Sequence, residues 1–273
     1  MMTHRDANVG YDIVPRRKNT YPRTNDEFLD LPRVIADFVV GESSQLKLGR
    51  RARLFLQGSC FAENLYHELR QAAYPCFYNA VVEALNSPLA NLHYFDSLLQ
   101  SRADAAREEL AKADVFVLTI GVAPCWFLKT TGEFVMRPDL RHIERFFQRT
   151  LTVKESRDAL TSVLDLVYRI NPQVSMVLTL SPVPLARSFE FESAIVADCV
   201  SKSTLRAAIH ELISTYQGRK PLYFPAFEIV RWLGAHAGNA YGDDGLPRHV
   251  SREYVRHIIA SFLGDPEPRS TAG

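Results

Sequence analysis

The stretch Arg53-Leu54-Phe55-Leu56-Gln57-Gly58-Ser59-Cys60-Phe61-Ala62 decides how the chain is read. Leu54-Phe55-Leu56 is a short apolar run that stops at Gly58, and Phe61, Leu65 and Leu69 then recur every fourth residue. A run of that length followed by a four-residue period predicts a strand, a tight turn and a helix. The alternation repeats downstream. Asn86 to Gln100 reads as a helix and the β-branched run Val115 to Ile120 as a strand buried on both faces. Leu160, Val163, Leu164, Val167 and Ile170 mark a helix that stops before Asn171-Pro172, and Val174 to Leu180 reads as the next strand. A helical stretch from about Glu190 to Thr215, a strand at Leu222 to Phe224 and a last helix with Val255, Ile258, Ile259 and Phe262 inward complete the pattern. Strands separated by helices predict right-handed crossovers and an α/β fold with a mainly parallel sheet covered on both sides. An insertion, read as a hairpin turning at Thr130-Thr131-Gly132, falls between Trp126 and Met136. Residues 1–50 are read as an N-terminal arm packed on the domain, 51–264 as the main domain and 265–273 as a C-terminal tail.

Composition narrows the function classes. The 273 residues are 47% hydrophobic and 23% charged, ordinary for a folded enzyme-sized chain. Lysine plus arginine number 32 against 31 acidic residues, so a net charge of +1 gives no field to gather nucleic acid or an anionic membrane. Four dispersed cysteines without a CxxC pair argue for reduced thiols rather than a disulfide scaffold or a zinc ribbon. Met1 to Asp6 lacks the apolar stretch of a signal peptide, and the longest apolar run, Val115 to Leu128, is interrupted by Gly121 and Pro124. The expectation is a soluble, cytoplasmic protein with no membrane span. Histidine spacing offers no metal site, and no glycine-rich phosphate loop is present, so neither metal nor cofactor is expected.

In an open parallel sheet, ligands gather at the carboxyl ends of the strands. Ser59 stands at such an end, where free N–H groups at a helix start can stabilise an oxyanion. The plainer reading of that position is an N-cap. Cys60, beside it, is read as a structural thiol. Among eight histidines, His4, His67 and His210 suit solvated or core roles, whereas His249 sits in the polar loop Gly242 to Ser251 before the last helix. A carboxylate a few residues upstream can fix its tautomer. A turn leading into a helix, with Asp243 and Asp244 merely solvated, explains the same letters equally well. Trp126, Phe127 and Trp232 are read as packing, with sugar stacking as the alternative.

Gly58-Ser59-Cys60-Phe61-Ala62 resembles the signature of the GSCFA family, a bacterial branch similar to the SGNH (GDSL-like) hydrolases. Further segments agree in order: Asn86 to Leu89, Leu118 to Gly121 followed by Trp126, Leu180 to Leu185, Ser201 to Arg206 and Tyr223 to Ile229, spanning Arg53 to Phe262. The resemblance implies a three-layer α/β/α, flavodoxin-like sandwich and acyl-ester chemistry. It makes Ser59 the nucleophile, His249 the base and Asp244 the acid partner, with Gly58, Asn86, Gly121 and Glu228 as oxyanion or substrate-binding positions. Departures are visible. Gly121 matches the middle-strand glycine, but Val122-Ala123-Pro124 supplies no asparagine, leaving Asn86 or a backbone N–H as the replacement donor. Asp244 and His249 are five residues apart rather than three, and Ala226 and Phe227 stand where the family writes serine and tyrosine. The implied function is a serine esterase or O-acyltransferase acting on a small-molecule or glycan ester. The alternative is a non-catalytic protein of the same fold that binds carbohydrate or another small ligand; the oligomeric state is left open.

Overall fold

A computed structural model describes residues 20–41, 49, 51–58, 60–83, 86–101 and 104–264. The first described segment is helical: a 3₁₀ turn at Asn25–Phe28 leads into α1 (Leu31–Val34) and a wide π turn at Ile35–Val39. β1 (Leu54–Gly58), α2 (Cys60–Gln71), β2 (Cys76–Ala80), α3 (Pro88–Gln100), α4 (Ala105–Ala111) and β3 (Val115–Ile120) follow. An insertion holds β4 (Pro124–Leu128), β5 (Phe134–Val135) and β6 (Phe146–Thr150). The main fold resumes with α5 (Val153–Ile170), β7 (Ser175–Leu180), α6 (Ala194–Thr215) and β8 (Leu222–Phe224). It ends with α7 (Ala226–Glu228), a π turn at Ile229–Leu233, α8 (Gly234–Ala237) and α9 (Arg252–Leu263).

β1, β2, β3, β7 and β8 form one parallel sheet in the order β2-β1-β3-β7-β8. Side chains alternate across a strand, so one run feeds two cores. Leu54, Leu56, Val115, Val117 and Val177 meet Leu65, Leu69, Tyr254 and Ile258 of α2 and α9. Phe55, Phe116, Leu118, Met176 and Leu178 meet Phe95, Leu160, Val163 and Leu205 on α3, α5 and α6. The result is the three-layer α/β/α arrangement with a parallel central sheet. Helix starts carry the expected signals: Ser87, Ser193 and Ser251 each accept an N–H from the first turn, and Thr152 with Glu155 forms a capping box.

Three elements depart from the pattern read off the letters. β2 is an edge strand, half-exposed, and its Cys-Phe-Tyr-Asn-Ala sequence lacks the continuous apolar run that marks the central strands. The insertion is a hairpin plus a third strand: β4 pairs antiparallel with both β5 and β6. Residues 226–237 are helical although Pro225 precedes them and Gly234 interrupts them. Between residues 20 and 41, Val34 and Ile35 are fully buried, and Phe28 and Leu31 nearly so. All four join the core of the α2 and α9 face. Residues 1–19 and 265–273 lie outside the described residues. Among the described residues, no helix is long and apolar enough to cross a membrane.

Candidate active site

The strand order reverses between β1 and β3: the chain leaves β1 outward to β2, then crosses back to β3. Such a switch point opens a crevice at the carboxyl ends. Ser59, the only residue between β1 and α2, lies outside the described residues. Its neighbours are described. Gly58 has φ +151°, and a Cβ there would lie 2.7 Å from Thr119 Cβ, so β1 can approach β3 this closely only with glycine at its end. The Gly58 carbonyl accepts Val81 N–H at 3.0 Å and Tyr78 O–H at 3.2 Å. Cys60 opens α2, whose first N–H groups have no carbonyl one turn back to bond. Burial pushes the half-buried Cys60 thiol up, and Glu83 adds to the effect, so at neutral pH it is a protonated thiol rather than a nucleophilic thiolate.

His249 and Asp244 are brought together. Gly242 and Gly245, with φ near +80°, allow two successive turns, closed by Gly245 N–H to Gly242 O and His249 N–H to Leu246 O. The ends of the loop are fastened by Gly242 N–H to His249 O and by the Tyr241/Val250 bridge. The five-residue spacing therefore folds back on itself, and His249 Nδ1 lies 2.7 Å from Asp244 Oδ2. An ionised carboxylate only accepts, so Nδ1 carries a proton, and in the neutral ring the free lone pair is on Nε2. Leu246 N–H bonds the other carboxylate oxygen at 2.9 Å; it and then His249 hold the Asp244 carboxyl below the usual range. Asp243 serves elsewhere, accepting Arg252 N–H at 2.8 Å where α9 starts. Arg248, next to His249, bonds Pro184 O at 2.8 Å and Glu83 at 3.1 Å. Its charge also bears on the Cys60 thiol, so the loop spans from the end of β7 to the start of α2.

Asn86 and Gly121 form a second group that faces inward. Asn86 is fully buried; its carbonyl accepts Gly121 N–H at 2.9 Å and Val122 N–H at 3.1 Å, and its Nδ2 donates to Thr119 O at 2.7 Å. Asn91 bonds Asn86 Oδ1 and accepts from Gln57, which in turn accepts from Asn79. Lys202 Nζ donates to Gly121 O at 2.6 Å, and Ser201 Oγ accepts Ala123 N–H. Burial pulls the Lys202 ammonium down to about 8. The N–H groups of Gly121 and Val122 are thus engaged inside the protein, and the Asn86 amide has no face toward solvent. Sequence reading missed the parts played by Gln57, Asn91, Ser201 and Lys202. The available signal was a set of amide and hydroxyl groups beside, or inside, apolar runs, where each must find a partner.

Glu228 joins neither group. It follows β8, three places along the sheet from β1, and is held by Arg206 Nε at 2.6 Å and Tyr223 O–H at 2.7 Å. Phe127 is buried as expected, but Trp232 is 61% exposed, so packing does not account for it. The area an aromatic ring can bury gives no sign that Trp232 lies away from the face carrying Ile229, Val230 and Leu233.

No curated protein matches the chain. Among solved structures, the chain is similar to a protein described as a GDSL-like lipase from Parabacteroides merdae (12% identity, TM-score 0.46, covering 81% of this chain and 98% of that one). It is also similar to a GDSL-like lipase from Bacteroides thetaiotaomicron (11%, 0.43, 87% and 97%) and to a carbohydrate esterase family 3 protein from Talaromyces cellulolyticus (10%, 0.43, 78% and 95%). At such identities and scores these likenesses say nothing of chemistry. The family match is of another order: it runs over residues 93–262, more than half of the chain and beginning well after the Gly58 to Ala62 pentapeptide, and this protein belongs to the GSCFA family.

Proposed function

We propose that the protein is a serine esterase or O-acyltransferase in which Ser59 attacks an ester carbonyl, His249 takes and later returns the proton, and Asp244 orients His249. The observation that carries this reading is the 2.7 Å contact between His249 Nδ1 and Asp244, which leaves Nε2 as the basic nitrogen. The Arg248 contacts with Pro184 and Glu83 support it by setting that loop at the carboxyl edge of the sheet. An acyl-enzyme on Ser59 would pass its acyl group to water or to a hydroxyl of a small molecule or glycan. With the Gly121 and Val122 amides engaged by Asn86, the oxyanion falls to the first N–H groups of α2. A fluorophosphonate probe tests the assignment: the wild type is labelled and Ser59→Ala is not. Equal labelling of both ends the proposal.

The same engaged amides favour a second reading, a protein of this fold that binds a carbohydrate or other small ligand without turnover. It gains if the wild type resists the probe and cleaves no short-chain p-nitrophenyl ester, yet binds a ligand saturably after Ser59→Ala.

A further inference from the structure

Beyond the carboxyl end of β8 the layers part. β8 is only three residues long, and Pro225 turns the chain directly into α7, so no strand fills the space between α6 and residues 227–232. The gap is a cavity of about 660 Å³, in the range of small-molecule sites. Ile195, Ala207, Phe227 and Trp232 supply its apolar wall. Ile195 is 83% exposed and Trp232 61%, an aliphatic chain and an indole left open at the rim of one concavity.

The polar wall is two ion pairs, Asp198 with Arg231 and Arg206 with Glu228, and the stem of Lys202. The Lys202 ammonium itself is turned inward to Gly121 O, so the wall carries two cations and two carboxylates, and what distinguishes them is how fully each guanidinium is engaged. Arg231 is committed on two nitrogens, to Asp198 and to Pro182 O. Arg206 is committed on one. Its Nε bonds Glu228 and its plane lies over the Tyr223 ring at 4.3 Å, while its two terminal nitrogens bond no described residue. A guanidinium with its stem pinned and its fork free matches a carboxylate.

We infer that this cavity binds an amphipathic anion, a carboxylate on an apolar body, with the carboxylate on the Arg206 fork and the body against Phe227 and Trp232. A neutral sugar would use the indole but offers no carboxylate to the Arg206 fork. The site and the His249 loop share the turn after β7, where Arg231 bonds Pro182 O and Arg248 bonds Pro184 O, and the inference does not rest on ester chemistry.

Calorimetric titration of the full chain with decanoate below its micelle concentration tests it, with tryptophan fluorescence as a second readout. Decanoate should bind at one saturable site and change the emission, whereas acetate, which lacks the body, and 1-decanol, which lacks the charge, bind at least about tenfold more weakly. Arg206→Gln should weaken decanoate about tenfold. Ala207→Phe, at an exposed position that leaves every ion pair in place, should block it by filling the cavity, and it carries the test should Arg206→Gln fail to fold. No binding of decanoate, binding unchanged in Ala207→Phe, or saturable cellobiose in place of decanoate overturns the inference.

Discussion

Two turns at the same edge of the sheet are built on opposite principles. The turn after β3, Gly121 to Ala123, is buried and bonded from within by Asn86, Ser201 and Lys202. The loop that carries Asp244 and His249 lies at the surface and is shaped mainly by its own backbone bonds and two glycines. The side chains that fix the first are buried, with only the Lys202 stem reaching a cavity, whereas Asp244 and His249 in the second are part-exposed and bonded to each other. On the proposed function, rigidity and chemistry fall to different residues at this edge.

That contrast can be broken by measurement. Asn86→Ala strips two buried bonds, from Thr119 O and Asn91, and should cost about 3 kcal/mol of stability in urea denaturation. A loss near zero would mean the inner turn is not what holds this edge. Lys202→Met tests the same turn through pH. The folded-state value of about 8 lies below the ordinary 10.5, so between them the unfolded chain holds a proton that the folded one lacks. Stability of the wild type should rise relative to Lys202→Met by about 1–2 kcal/mol from pH 8 to pH 10, and a flat difference refutes it. Arg248→Ala, losing Pro184 O and Glu83 at a half-exposed position, should cost no more than about 1 kcal/mol yet slow labelling by the fluorophosphonate. Asp244→Asn should leave the denaturation midpoint unmoved while slowing labelling at least about a hundredfold. A large midpoint shift there would erase the distinction between the two turns.

The strand ends at Gly58, Ile120 and Leu180 were legible because central parallel strands are buried on both faces and are largely apolar, and Phe224 because the short edge strand β8 is still apolar and stops at Pro225. β2 was not, since an edge strand tolerates Asn79 and exposed positions. The closeness of Asp244 and His249 was only half legible. Two glycines permit a fold-back, but which carboxylate turns inward depends on Asp243 being taken by the Arg252 N–H. The inner network was illegible: Gln57, Asn86 and Lys202 meet only once three segments far apart in sequence are packed. Trp232 was misjudged for a related reason, because helical phase after Pro225 decides its face and the π turn shifts that phase.

The burial of Leu31, Val34 and Ile35 has a kinetic side. α1 lies against α9, more than two hundred residues later, so the first described segment closes its contacts only after the last helix exists. Contacts of such sequence separation are slow to form, because the entropy of bringing the ends together must be overcome before the packing returns anything. Until that moment the α2 side of the sheet carries an uncovered apolar stripe, and the chain is at its most prone to self-association.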